Sequence, residues 1–207
     1  MILPREFYAR PTLEVARDLI GKVLVHESPG GLASGVIVET EAYIGEGDPA
    51  CHASFGRTPR NAPLYGPPGI AYVYLNYGIH HLVNAVTEPE GSPAAVLIRA
   101  LEPLEGESLM RRRRRTAAAS RPTPLSSHTL CRGPGNLSRA LGITLKQNRS
   151  DLTRGRLRIE DRGLPERDVI WGTRVGINVG LEHAWRCSAL GSPAVSAFKL
   201  GTKRGNR

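Results

Sequence analysis

Apolar residues recur at helical spacing at Leu13, Ala16, Leu19 and Ile20, between Pro11-Thr12 and Gly21. This predicts a short amphipathic helix, opened by a proline and a capping residue and closed by a glycine. The period then shortens to two: residues 22–26 and 35–43 read as strands joined across Ser28-Pro29-Gly30-Gly31, a hairpin. Further strand-like runs cover 71–75, 82–86 and 95–101, with glycine and proline punctuation at 66–69 and 89–93. Residues 104–115 have helical character but end in five consecutive arginines, so 111–127 reads as a mobile basic surface loop. A turn at Cys131-Arg132-Gly133-Pro134-Gly135-Asn136, with Asn136 as cap, leads into a helix containing Leu137, Ala140 and Leu141. Residues 157–160, 175–179 and 195–198 complete the strand candidates. The expected fold is α+β, one compact domain over 1–207, with a largely antiparallel sheet, surrounding helices and a protruding hairpin.

The run from Val36 to Tyr43 brings chemistry into this pattern. Strict alternation puts Val36, Val38, Thr40 and Ala42 on one face and Ile37, Glu39, Glu41 and Tyr43 on the other. Two carboxylates then share a face with an aromatic, as a site or as the solvated face of an edge strand. Five of the six tyrosines (Tyr43, Tyr65, Tyr72, Tyr74 and Tyr77) lie between 43 and 77. Tyr72 and Tyr74 alternate along one strand, and Tyr77 stands before Gly78, where a tight turn would put it at a hairpin tip. Such a ring suits a wedge between base pairs or can fold back over its hairpin. Tyr43 and Tyr74 can stack on bases or pack ordinarily.

His52 could donate a hydrogen bond in a pocket or be a surface residue. Arg99 interrupts an apolar run and, if buried, needs a partner, and the amide of Asn84 needs the same. Glu39, Glu41, Asp48 and His52 lack the spacing of a metal motif, and no cofactor is expected. The helix start at Gly133 could meet an anion, as any such start could.

Charge narrows the class of partner. The formal net charge is +9, and 24 of the 28 basic residues are arginines. Residues 1–110 carry 7 basic and 13 acidic side chains, whereas 111–207 carry 21 and 6. A polyanion is the expected partner of the basic half. Three scattered cysteines support neither a disulfide framework nor a Cys-x-x-Cys zinc site, and no apolar run reaches membrane length. A soluble, cytoplasmic protein follows, and the lack of a dimerisation heptad points to a monomer.

Taken in order, several blocks resemble the alkyladenine (3-methyladenine) DNA glycosylase family of the mixed α/β type. They are Phe7-Tyr8-Ala9-Arg10-Pro11, Val38-Glu39-Thr40-Glu41-Ala42-Tyr43, Thr58-Pro59-Arg60-Asn61, Tyr72-Val73-Tyr74 leading to Tyr77-Gly78, Leu97-Ile98-Arg99-Ala100-Leu101, Cys131-Arg132-Gly133-Pro134, Arg174-Val175-Gly176-Ile177 and Gly191-Ser192-Pro193. The resemblance implies a monofunctional glycosylase acting on double-stranded DNA that contains damaged purines. Glu41 would direct the attacking water with support from Arg99, and Tyr43, His52, Tyr74 and Asn84 would line the base pocket. Tyr77 would fill the gap left by a flipped nucleotide, and Glu39 would be structural. Arg132, Gly133 and Arg174 would meet the DNA backbone. After Tyr77-Gly78 this chain has Ile79-His80, where mammalian relatives carry methionine and tyrosine. A non-catalytic RNA- or single-strand-binding module and a metal-dependent nuclease using Glu39, Glu41 and Asp48 are the rival readings.

Overall fold

The structure is a computed structural model that describes residues 1–115 and 125–196. Two short helices, α1 (Arg5–Tyr8) and α2 (Thr12–Asp18), precede the hairpin of β1 (Val23–Ser28) and β2 (Gly31–Ile44). Then come β3 (Ala71–Asn76), β4 (His80–Val86) and β5 (Ala94–Glu105). Helices α3 (Glu107–Arg114), α4 (Ser127–Leu130) and α5 (Pro134–Leu141) follow, and β6 (Leu157–Glu160), β7 (Val169–Gly172) and β8 (Arg186–Ala189) close the chain. The fold is α+β. Every strand pair is antiparallel, and the main order is β3-β4-β5-β2-β1-β6.

Strand β2 is central rather than an edge. Its first half pairs with β1, its second half pairs with β8 through Glu39–Glu41, and β5 runs along its other side. Both edges are therefore paired, and because residues 33–42 are all buried, both faces are covered as well. Strict alternation fails at one point: Ile37 faces Leu101 and Glu39 faces Ala100, so Val38 is an extra residue; Thr40 then faces Ile98, leaving Arg99 extra on β5. Ile37 consequently packs in the same core cluster as Ala42, while Val38 joins Ala100, Ala189 and Ala194. The back-to-back bulges leave Glu39, Glu41 and Tyr43 on the face to which Arg99 is delivered.

The main core joins Val15 and Ala16 of α2 and its C-cap Leu19 to Ile37, Val96 and Ile98 of the sheet and to Leu137 and Leu141 of α5. The Thr40 hydroxyl donates to the Ala16 carbonyl at 2.9 Å and fixes α2 against β2. Thr12 does not cap this helix; its hydroxyl bonds Thr87 and Glu88, and Pro11 holds the cap position. Likewise Gly133, at φ +87°, caps α5, and Asn136 lies inside that helix with its amide donating to the Arg132 carbonyl.

Three other expectations are corrected. The arginine run begins as helix: Arg111 pairs with Glu107, and Arg113 donates to Ser28 Oγ and the Ala140 carbonyl, anchored beside the buried Met110. Leu125 also packs on the core, so the ends of the expected mobile loop are held; 116–124 lie outside the described residues. Residues 175–179 are irregular, broken by Gly176 at φ +79°, with Val175 and Val179 half exposed. Val195 and Ser196 are not in a strand, and 197–198 lie outside the described residues. Among the described residues no helix is long and apolar enough to cross a membrane.

Candidate active site

The β3–β4 hairpin, β5 and the loops after β2 and β7 enclose a cleft of about 380 Å³, within the usual range of ligand pockets. Alternation along β3 sends Tyr72 and Tyr74 to the same side, with ring centroids 5.3 Å apart. His52 packs edge-on against Tyr74 at 4.5 Å and shares a 2.8 Å hydrogen bond with the Tyr72 hydroxyl. Burial, and then the nearby Arg60, lower the His52 pKa, so its ring is neutral at physiological pH. The same burial pushes the Tyr72 phenol up to about 12, which keeps it a hydroxyl. Asn84, opposite Tyr72, lines the cleft with its amide nitrogen fixed on the Tyr72 carbonyl at 2.9 Å. Tyr77 stands at the rim on the hairpin tip, 84% exposed and at φ +49°, followed by Gly78 at φ +69°.

Glu41 is fully buried behind the cleft wall and does not itself line the cleft. The Tyr43 hydroxyl donates to its Oε2 at 2.9 Å, Arg99 Nη1 reaches the same oxygen at 3.2 Å, and the Val175 N–H donates to Oε1 at 2.7 Å. All three donors belong to residues that line the cleft. Burial lifts the Glu41 pKa above the ordinary carboxylate value; Arg99, the Val175 N–H and Tyr43 pull it down, and Glu39 adds to the lift. The carboxyl is thus a stronger base than a solvated one, beside aromatic faces that can hold a planar group.

Beneath it, Glu39 accepts from Arg99 Nε at 2.9 Å, from Arg186 Nε at 2.7 Å and from the backbone N–H and hydroxyl of Ser196, both at 3.2 Å. Arg99 therefore bridges two buried carboxylates, which answers its need for a partner in an apolar strand. The structural role expected of Glu39 fits this geometry.

Of the residues singled out in the sequence, Glu41, Arg99, Tyr43, His52, Tyr74, Asn84 and Tyr77 converge here. The three backbone candidates do not form a set. Arg132 donates to the Pro193 carbonyl, and Gly133 stands at the open start of α5. Arg174 is a correction, because its side chain is fully buried on Asp48 and offers nothing to a phosphate. The sequence assigns no role to Val175, Arg186 or Ser196 and offers Asp48 only as a metal ligand, whereas it pairs with Arg174. Their partners are remote in sequence, Arg186 from Glu39 by 147 positions, and no local pattern marks such pairs. Among the described residues no group of three or more histidine, cysteine, aspartate or glutamate side chains could hold a metal ion.

Residues 6–193 match the family model for methylpurine-DNA glycosylase. The chain belongs to the methylpurine-DNA glycosylase family. Similar proteins named "Putative 3-methyladenine DNA glycosylase" occur in Methanocella arvoryzae, 49% identical over 94% of this chain and 96% of that protein. Another from Rubrobacter xylanophilus is 52% identical over 84% and 86%, and one from Chlorobaculum parvum 44% identical over 99% and 95%. As a DNA glycosylase, the enzyme has DNA as its substrate.

Proposed function

We propose that the protein flips alkylated or deaminated purines of the 3-methyladenine, 7-methylguanine and hypoxanthine class out of duplex DNA and hydrolyses their N-glycosidic bond. The observation that carries this reading is Glu41, a buried carboxylate held by Tyr43, Arg99 and Val175 under an aromatic cleft. A base within a duplex is out of reach, so it must be extruded at a cost of a few kcal/mol, least for a damaged pair. Tyr77 entering the helix, together with stacking on Tyr43 and Tyr74, offsets that cost at roughly 1 to 3 kcal/mol per stacked base. Hydrolysis then passes through an oxocarbenium-like state, with the Glu41 carboxylate orienting and deprotonating a water that attacks the sugar C1′. The base departs with the bonding electron pair. An alkylated purine is already cationic and leaves readily, whereas hypoxanthine also needs a proton. Among the described residues no lysine lines the cleft to form a Schiff base, which favours a monofunctional hydrolase.

The test is release of free 3-methyladenine from methylated duplex DNA in the presence of EDTA, with the product strand left uncut until treated with alkali. Binding without release would favour the single-strand-binding alternative, and EDTA-sensitive strand cutting would favour the nuclease. Tyr77→Ala is expected to weaken capture of a lesion duplex by roughly 1 to 3 kcal/mol, the worth of one stack, and to leave excision from single strands nearly unchanged. Equal losses on both substrates in a single-turnover comparison would remove the wedge.

A further inference from the structure

The segment before β8 holds an ion pair that the preceding mechanism leaves unused. Arg174 donates through Nη1 to Asp48 Oδ2 at 2.5 Å and through Nη2 to Oδ1 at 2.8 Å, a bidentate fork in which both side chains are fully buried. Nη1 also reaches the Ala42 carbonyl of β2 at 3.0 Å. The guanidinium lies between two rings, with Cζ 4.7 Å from the centroid of Tyr43 and 5.1 Å from that of Trp185. Asp48 is fixed in turn by the N–H groups of Ala50 and Ile44.

What this clamp holds is the next residue. Among the described residues, the only hydrogen bonds made by residues 173–179 are those of the Arg174 side chain and the one from Val175 N–H to Glu41. No strand ladder fixes this segment, and Val175 itself is 41% exposed. The position of the Val175 N–H against Glu41 therefore depends on the seating of Arg174.

We propose that Asp48 and Arg174 are positioning residues that set the proton affinity of Glu41 by pinning the Val175 N–H on its carboxylate. The inference rests on the functional reading above. With the clamp loosened, Glu41 loses a donor that favours its ionised form, so it protonates at higher pH and the attacking water loses its base earlier on acidification. The charged and titratable groups facing Glu41 are Arg99 and Glu39 beneath it, Tyr43 on its own strand, Tyr74 from β3 and Arg174 itself. The variants are chosen to leave the first four in place.

Arg174→Lys keeps the charge but cannot reproduce the fork that holds both Asp48 oxygens and the Ala42 carbonyl. The double variant Asp48→Asn with Arg174→Gln removes both charges at once and leaves no unpaired buried ion. Single-turnover release of 7-methylguanine, a leaving group that needs no proton, is followed against pH. In both variants the acid limb is expected to move up by about one unit, a tenfold loss of rate at fixed pH below it. Affinity for lesion duplex, measured in a Glu41→Gln background, should not change. A uniform loss at every pH, or an unmoved limb, overturns the positioning role. If Arg174→Lys does not fold, the double variant decides by the same readout. Should Glu41→Gln itself keep the limb, the error lies in the functional reading and not in the clamp.

Discussion

Glu41→Gln is expected to slow single-turnover base release by about 10²- to 10⁴-fold, the usual worth of a positioned general base, while the folded protein becomes no less stable. The first half follows from geometry, since a neutral amide cannot accept the water's proton. The second half follows from linkage. A carboxyl whose pKa is raised on folding binds its proton more tightly in the native than in the unfolded chain. The stability it contributes is complete below the unfolded value near 4 and is lost as pH rises through the folded value. Wherever Glu41 is ionised, its desolvated charge is thus a burden that glutamine does not carry. Arg99 remains paired with Glu39 in the variant. Thermal unfolding should give an equal or higher Tm for Glu41→Gln at pH 7, with the difference shrinking toward pH 4. A large fall in Tm would mean that the carboxylate is a structural support rather than a strained functional group.

Arg99→Met should have the largest effect on stability. It leaves Glu41 without its ion-pair partner and Glu39 with Arg186 alone among its cations, both carboxylates fully buried. Removing the cation that two buried carboxylates share costs about 3 to 5 kcal/mol, because the stranded acidic charge keeps its desolvation penalty. Denaturant unfolding at pH 7 measures it, and acidification should recover part of the loss as the stranded carboxyls take up protons. Arg99→Lys is expected to fall between, since one ammonium cannot reproduce the fork that spans Glu39 and Glu41. If Arg99→Met unfolds like the parent at neutral pH, the cluster is solvated and its tight packing has no energetic meaning.

Much of this site could be read along the chain because its parts are local. Glu41 and Tyr43 sit two residues apart on one strand, Tyr72 and Tyr74 on another, and the Tyr77-Gly78 turn announces its own hairpin. The failures share a physical origin in tertiary pairing. Ile37 was assigned to the carboxylate face because alternation ignores bulges, and only the pairing with β5 reveals that Val38 and Arg99 are extra residues. Residues 175–179 carry the apolar content of a strand but not its backbone, with Gly176 in a left-handed conformation. By contrast, β8 has the weak strand sequence Arg-Cys-Ser-Ala and exists because β2 and β7 offer it edges. The arginine run suggested a solvated excursion, yet α3 uses Arg113 to tie Ser28 to the end of α5.

The carboxylate cluster behind the cleft joins residues far apart in the chain. Glu39 and Glu41 are made first, whereas Val175 follows Glu41 by 134 positions, and Arg186 and Ser196 follow Glu39 by 147 and 157. A nascent polypeptide that has passed residue 105 already owns the aromatic walls and Arg99, but its two acidic groups face a single guanidinium. On the proposed reading, base release needs the Val175 N–H on Glu41, so ribosome-stalled fragments that end before residue 175 should bind DNA without releasing bases.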